Sequence, residues 1–166
     1  NEPEWMLELR LNAFDIYENT PMPSTHNEAW RRTDIRRLKL DNIGPSVNGD
    51  AAANVVIPEY LGQQLTSDEA GGNMLQVDGV VTQFAVDEAL LEQGVIFCDM
   101  HTAVNEHPEL VQRYFMTQGV LTSEGKFAAL HGAFWRGGTV LYVPKNTKAE
   151  APLHSVLWSA NGRTFT

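Results

Sequence analysis

Cys98 is the residue of this chain whose chemistry is most readily engaged, because a thiolate binds iron and carries sulfane sulfur. It is the single cysteine in 166 residues, and it closes the apolar run Val95-Ile-Phe-Cys98. A metal cluster needs several soft ligands converging, and the sequence offers no C-x-x-C spacing, so this thiol reads as a small core residue. His26, His101, His107, His131 and His154 show no H-x-x-x-H or H-E-x-x-H spacing. His107 reads as a helix cap beside Pro108, and His131, among Phe127, Phe134 and Trp135, as a hydrogen-bonded core histidine. Gly71-Gly72 and Gly137-Gly138 lack the Lys-Ser or third glycine of a phosphate-binding loop, and there is no G-x-S-x-G elbow. Asp87, Glu88 and Glu92 crowd a helix start, where solvation explains them. The reading assigns no catalytic, cofactor-binding or metal-binding residue.

The large rings carry more information. Trp5, Trp30, Trp135 and Trp158 must all be covered by the chain or by a partner. Trp135 and Trp158 lie in apolar segments and read as core. Trp5 and Trp30 lie in amphipathic segments, and Arg31 and Arg32 follow Trp30 directly, a composition typical of interface hot spots. Trp5, Trp30, Arg31 and Arg32 are therefore the candidate interface residues.

Charge narrows the partners. The net charge of −9 divides into −2 over residues 1–43, −11 over 44–124 and +4 over 125–166. An acidic middle repels phosphate backbones, which argues against nucleic acid. The basic end reads as a solvated strand edge. With 43% apolar and 20% charged residues the composition is that of a globular protein. No apolar run approaches the roughly 18 residues that span a bilayer, so no membrane is expected. A single cysteine, which excludes a disulfide within this stretch, fits a reducing cytoplasm.

Elements must position these residues. Pro3 and the acids Glu2, Glu4 and Glu8 open a helix that Asn19-Thr20-Pro21 ends. A turn or short helix surrounds Ala29-Trp30, and Asp34 to Leu40 reads as extended, with Arg36, Arg37 and Lys39 alternating with Ile35, Leu38 and Leu40. Residues 44–73, rich in Gly, Asn, Asp and Ala, read as a flexible insertion with one strand at Asn54 to Pro58. Met74–Val77 and Val80–Val86 flank Asp78-Gly79, the signature of a tight hairpin. Asp87 caps a helix over Glu88 to Gln93 that Gly94 closes; Val95–Cys98 is a strand, and Asp99 caps the next helix. Another helix starts at Pro108 and runs to about Met116. Thr117 to Glu124 is a polar loop, and a helix over Lys126 to Trp135 breaks at Gly137-Gly138. Short apolar runs follow at Val140–Val143, Leu153–Trp158 and Arg163–Thr166, at the even spacing from which stacked β structures are built.

The segment Lys126-Phe-Ala-Ala-Leu-His-Gly-Ala-Phe-Trp135, continuing through Arg136-Gly-Gly-Thr-Val-Leu-Tyr-Val-Pro144, resembles the SufB/SufD family of iron–sulfur cluster assembly proteins. Further blocks resemble that family in the same order: Glu2-Pro-Glu-Trp-Met-Leu-Glu-Leu-Arg-Leu11, Pro21-Met-Pro23, Gly94-Val-Ile-Phe-Cys98 and His107-Pro-Glu-Leu-Val111. Glu28-Ala-Trp-Arg-Arg-Thr-Asp-Ile35 tips the resemblance toward the SufD branch. It implies an α+β N-terminal domain over 1–136, then the first rungs of a right-handed parallel β-helix over 137–166. It further implies a cytoplasmic, non-enzymatic scaffold component that pairs with a SufB-like paralogue and a SufC-like ATPase. The assembled complex would handle an iron–sulfur cluster, with the cluster-building residues beyond this stretch. Two other classes stay open. One is the N-terminal part of a β-helix enzyme such as a polysaccharide lyase, which needs charged rows on later rungs. The other is a small-molecule-binding domain with a pocket lined by Phe84, Phe97 and Phe115.

Overall fold

A computed structural model describes residues 2–40, 44–45, 56–65, 70–160 and 164–165. The chain is α+β and divides into two compact units, each assembled from two stretches of sequence. One comprises Asn1–Gly44 with Val104–Trp135, the other Pro45–Ala103 with Arg136–Thr166.

The first unit is helical. Helix α1 spans Glu4–Asn19; Pro3 precedes it in extended conformation, and its carbonyl accepts from Met6 N and Leu7 N. At the other end Thr20 turns extended and its hydroxyl donates to the Ile16 carbonyl, 2.6 Å away. Pro21 cannot continue the helix. Met6 and Ala13 are the buried residues of α1, and they face α6, Lys126–Phe134, whose Ala129, Leu130, Gly132 and Ala133 are buried. Small residues set the spacing: a Cβ on Gly132 would stand 3.1 Å from Ala13 Cβ and 2.8 Å from Thr122 Cγ2. Helix α5, Pro108–Tyr114, and 3-10 turns at Glu28–Trp30 and Thr122–Glu124 complete this unit.

The second unit is built on β2, Gly72–Val77, which lies between β3, Val80–Val86, and β6, Leu153–Trp158. The β2–β3 pairing is antiparallel across Asp78-Gly79, both with positive φ (47° and 82°), as a primed turn requires. The β2–β6 pairing is parallel. Leu75 and Val77 of β2 pack with Leu65, the last residue of α2, Glu59–Leu65, together with Ile57, Val156 and Trp158. Asp87 accepts from Ala89 N and caps α3, Glu88–Glu92, which ends before Gly94 at φ 80°. Strand β4, Ile96–Asp99, pairs antiparallel with β5, Thr139–Tyr142. Asp99 then accepts from His101 N and Thr102 N and opens α4, Met100–Glu106. The two-residue strands β1, Gly44–Pro45, and β7, Thr164–Phe165, form a third sheet.

One buried amide joins the two larger sheets. Gln76, 1% exposed, donates from Nε2 to the Gly138 carbonyl at 2.8 Å and accepts from Gly138 N at 2.9 Å. The adjacent glycines follow from this contact. A Cβ on Gly137 would lie 2.7 Å from Gln76 Oε1 and 2.8 Å from Gly79 Cα, and Gly138 sits at φ 142°.

Several elements differ from the sequence reading. Within residues 44–73, read as a flexible insertion, the described part includes α2, the buried Leu65 and the start of β2. Of the expected strand at Asn54 to Pro58, 54–55 lie outside the described residues, and Val56 to Pro58 carry no strand. Instead the Pro58 carbonyl accepts from Leu61 N and Gly62 N and starts α2. Asp34 to Leu40 is turned, because Asp34 takes Arg36 N and the Arg36 guanidinium while Leu38 N donates to Ile35 O. Residues 137–166 do not stack on one another in rungs among the described residues. The strand β5 pairs with β4, and β6 pairs with β2, because the middle of the chain supplies apolar partners to both.

Replacing Gln76 with Leu should leave Gly138 N–H unpaired in a part-buried setting, while Gly138 C=O keeps its bond from Met100 N. The expected loss is about 1–3 kcal/mol of unfolding free energy, from one orphaned donor. Urea unfolding of Gln76→Leu against wild type measures it, and an unchanged midpoint would refute the clamp.

Candidate functional site

The helical unit carries two clefts, one toward each end of α1. Around the α1 C-terminus, Trp30 stacks on Phe127 with ring centroids 5.3 Å apart and planes at 33°. These rings line a cleft of about 390 Å³ together with Thr20, Pro21, Pro23 and Lys126. The 3-10 turn Glu28–Trp30 presents Trp30, because Ser24 N and Asn27 Oδ1 close the preceding loop at 2.8 Å and Trp30 N donates to Asn27 O. Toward the α1 N-terminus, Trp5 and Leu9 line a second cleft of about 360 Å³ with Gln112, Phe115 and Met116.

Two cations fix the frame of these clefts. Lys126 Nζ, at the start of α6, donates to the carbonyls of Tyr17 and Thr20, each at 2.8 Å, and lies 4.2 Å from the Tyr17 ring centroid. Arg10 of α1 donates to the carbonyls of Ala133 (3.0 Å) and Trp135 (2.9 Å) at the end of α6. Its guanidinium also covers the Trp135 ring at 4.2 Å and pairs with Glu2 at 2.9 Å. The helices therefore run antiparallel, each supplying a cation to the carbonyls that the other leaves unpaired.

The predicted interface residues separate into two places. Trp30, Arg31 and Arg32 are consecutive beside the larger cleft; Arg31 and Arg32 are exposed, and Arg31 meets Glu28 at 3.4 Å. Trp5 belongs to the other cleft, about 22 Å away along α1 at 1.5 Å per residue. Farther along the basic segment, the Arg36 guanidinium is held by Asp34 at 2.6 Å. That contact lowers the Asp34 carboxyl from 3.8 to about 2, chiefly through the side-chain hydrogen bond and then the backbone N–H of Arg36.

The other chemistry-bearing residues lie elsewhere. Cys98 sits half-buried on β4 opposite Val140. Among the described residues no three His, Cys, Asp or Glu side chains are grouped to hold a metal ion. His131 is not a core residue: it lies on the solvent side of α6, although partial desolvation holds its pKa below the usual histidine value. His107 occupies the N-cap position of α5 without a capping side-chain bond; Pro108 at the first helical position does the work. Phe84 and Phe97 pack together at 5.9 Å in the strand unit, whereas Phe115 packs on Trp135 at 5.6 Å in the helical unit. No helix among the described residues is long and apolar enough to cross a membrane. Sequence reasoning missed Arg10 and Lys126, whose partners lie more than a hundred positions away and leave no local signal.

Comparison with known proteins adds the decisive observation. Residues 1–154 match the model of the SufBD protein N-terminal region. The chain belongs to the SufBD family. It is SufD-like: it is 36% identical over 160 residues to the iron-sulfur cluster assembly protein SufD of Bacillus subtilis (strain 168). That alignment covers 93% of this chain and 35% of the relative. It is also 34% identical over 169 residues to iron-sulfur cluster assembly SufBD family proteins of Staphylococcus aureus strains USA300 and NCTC 8325, covering 93% of this chain and 34% of each. This SufBD-family chain thus spans about a third of the length of the curated relatives it matches.

Two outcomes are expected here. Lys126→Met should cost about 1–3 kcal/mol, the range for charge-assisted hydrogen bonds, and should raise hydrogen exchange in the last turn of α1 ahead of the rest. Unaltered exchange there would show that Lys126 is dispensable. The Asp34 carboxyl should titrate near 2 by NMR and return toward the ordinary aspartate range in Arg36→Ala. Since the folded pKa is depressed, any stability this pair adds is present above about 3.9 and fades as pH falls toward 2.

Proposed function

We propose that this chain is the N-terminal part of a SufD-like component of the SUF iron–sulfur cluster assembly machinery, with a structural and partner-positioning role. The family match over residues 1–154 carries this reading. On it, the full protein pairs with a SufB-like paralogue and a SufC-like ATPase in the cytoplasm. The iron–sulfur cluster is cargo of that complex; ATP hydrolysis and cluster chemistry belong to the partners and to residues outside this stretch. The division remains 1–136 as the N-terminal domain and 137–166 as the approach to a parallel β-helix. The short apolar strands after Gly138 support that approach.

Trp30, Arg31 and Arg32 are the residues proposed to meet a partner here, with Trp5 as a second contact. A stacked indole at the rim of an open cleft, followed by two exposed guanidinia, supplies apolar area and directional donors to a protein surface.

The test is co-expression of the full-length protein with its SufB-like and SufC-like neighbours, followed by light scattering and iron and sulfide analysis. A stable three-component complex that gains iron and sulfide only when all parts are present is the expected result. The variant Trp30→Ala/Arg31→Glu/Arg32→Glu should weaken that complex at least tenfold, as loss of a hot-spot cluster does. A monomer that ignores both neighbours and takes up no iron would sink the assignment.

A further inference from the structure

Helix α1 has a face that neither the clefts nor the packing against α6 uses. Leu7, Leu11 and Phe14 recur at the i, i+4, i+7 spacing of one helical stripe, and they remain 48%, 59% and 40% exposed. Phe14 forms the border of the stripe with the packed side, edge-on to Phe134 at 5.7 Å. Glu4, Glu8 and Asp15, all exposed, form a ridge along the other border of the stripe, and exposed Glu18 continues the stripe one step beyond Phe14. The one base of the helix, Arg10, is turned to the α6 carbonyls and to Glu2. The outer surface is therefore an apolar strip bordered by three carboxylates and ended by Glu18, with no cation of its own helix beside them.

We propose that this face of α1 docks a basic amphipathic helix of a partner protein, whose leucine-type side chains cover Leu7, Leu11 and Phe14 and whose Lys or Arg side chains meet the acidic ridge. Charge chooses this occupant. Antiparallel two-fold pairing with a second copy would bring ridge against ridge, three carboxylates facing three, and any pairing of the two strips would bring two acidic faces together, which disfavours association. An anionic lipid surface would be repelled by the same groups. A basic helix is attracted during approach and held in register once docked, and i, i+4, i+7 anchors are what helix-in-groove recognition uses. The proposal concerns a surface separate from the Trp30 cleft and does not rest on the SUF assignment.

The full-length protein is titrated against a fluorescein-labelled helical 16-mer with Leu at i, i+3, i+4 and i+7 and Lys or Arg beside them, and against a control in which Glu replaces each base. Anisotropy should show saturable binding of the basic peptide and at least tenfold weaker binding of the acidic one. Leu7→Ser/Leu11→Ser should weaken the basic peptide about tenfold or more, from the apolar area of two leucines. Glu4→Gln/Glu8→Gln/Asp15→Asn should weaken it severalfold and flatten its salt dependence. These are exposed positions, and circular dichroism confirms that each variant folds; the ridge variant carries the test if the serine variant does not fold. Equal binding of the two peptides, or binding indifferent to both variants, overturns the proposal. So does a dimer by light scattering that the serine substitutions dissolve, because the occupant is then a second copy. Absence of peptide binding, with α1 amides of the free full-length protein protected from exchange on this face, assigns the face to the protein's own remainder and likewise refutes the partner.

Discussion

The helical unit depends on two cations that exchange places. Antiparallel helices leave four carbonyls open at each C-terminus, and desolvating them against a neighbour is costly unless a donor arrives. Here Arg10 of α1 serves the end of α6, and Lys126 of α6 serves the end of α1. Each cation also lies over an aromatic ring, Trp135 or Tyr17, so charge, hydrogen bonding and apolar contact coincide at both ends. The Ala13–Gly132 contact allows this geometry, since a side chain at 132 would hold the helices apart. Once the pair is fixed, Phe127 is placed to receive Trp30, and Phe115 to receive Trp135. Both clefts are consequences of that frame.

The strand unit has a comparable constraint with no charge in it. Gln76 uses both ends of its amide on Gly138, reproducing a two-bond backbone ladder with a side chain. Gly138 O also accepts from Met100 N, so one residue ties β2, β5 and the start of α4. Asp78, 2% exposed, does the same for the other end of β2 by accepting from Ala160 N at 3.0 Å. Gln76 and Asp78 thus act as buried polar connectors, each bonded to a distant part of the unit.

What could be read from sequence was local. Asp78-Gly79, Asp87 with Gly94, Asp99, and Pro108 each carry turn or cap chemistry within three or four residues, and the elements they bound appear where that chemistry puts them. Gln76 was invisible because its partner lies 62 positions away and a glutamine in a strand usually faces water. The alternation at residues 35–40 imitated a strand, but Asp34 and Arg36 pair two residues apart and bend the backbone instead. The helix α2 has little apolar periodicity; among its described side chains Leu65, at its last position, is the buried one. His131 has aromatic neighbours in sequence, yet the helical period turns it outward while Leu130 and Ala133 go in. The Trp30–Arg31–Arg32 part of the candidate site followed from composition, whereas the cleft beside it required Phe127 and Lys126 from the far end of the unit.

The blocks that resemble the SufB/SufD family make physical sense once paired in space. Glu2–Leu11 contributes Arg10 to the end of Lys126–Trp135, and Trp30 of Glu28–Ile35 stacks on Phe127 of that same block. Within the other unit, Ile96 to Cys98 of the Gly94–Cys98 block form a ladder with Val140 to Tyr142 of the Arg136–Pro144 block. These five blocks thus find their counterparts in one another. Residues bound to each other in this way satisfy backbone groups and fill space. A motif set whose members recognise one another specifies a shape, and on the proposed reading the surfaces those blocks leave outward, the Trp30 cleft with its two guanidinia and the acidic, leucine-bearing face of α1, are what that shape presents.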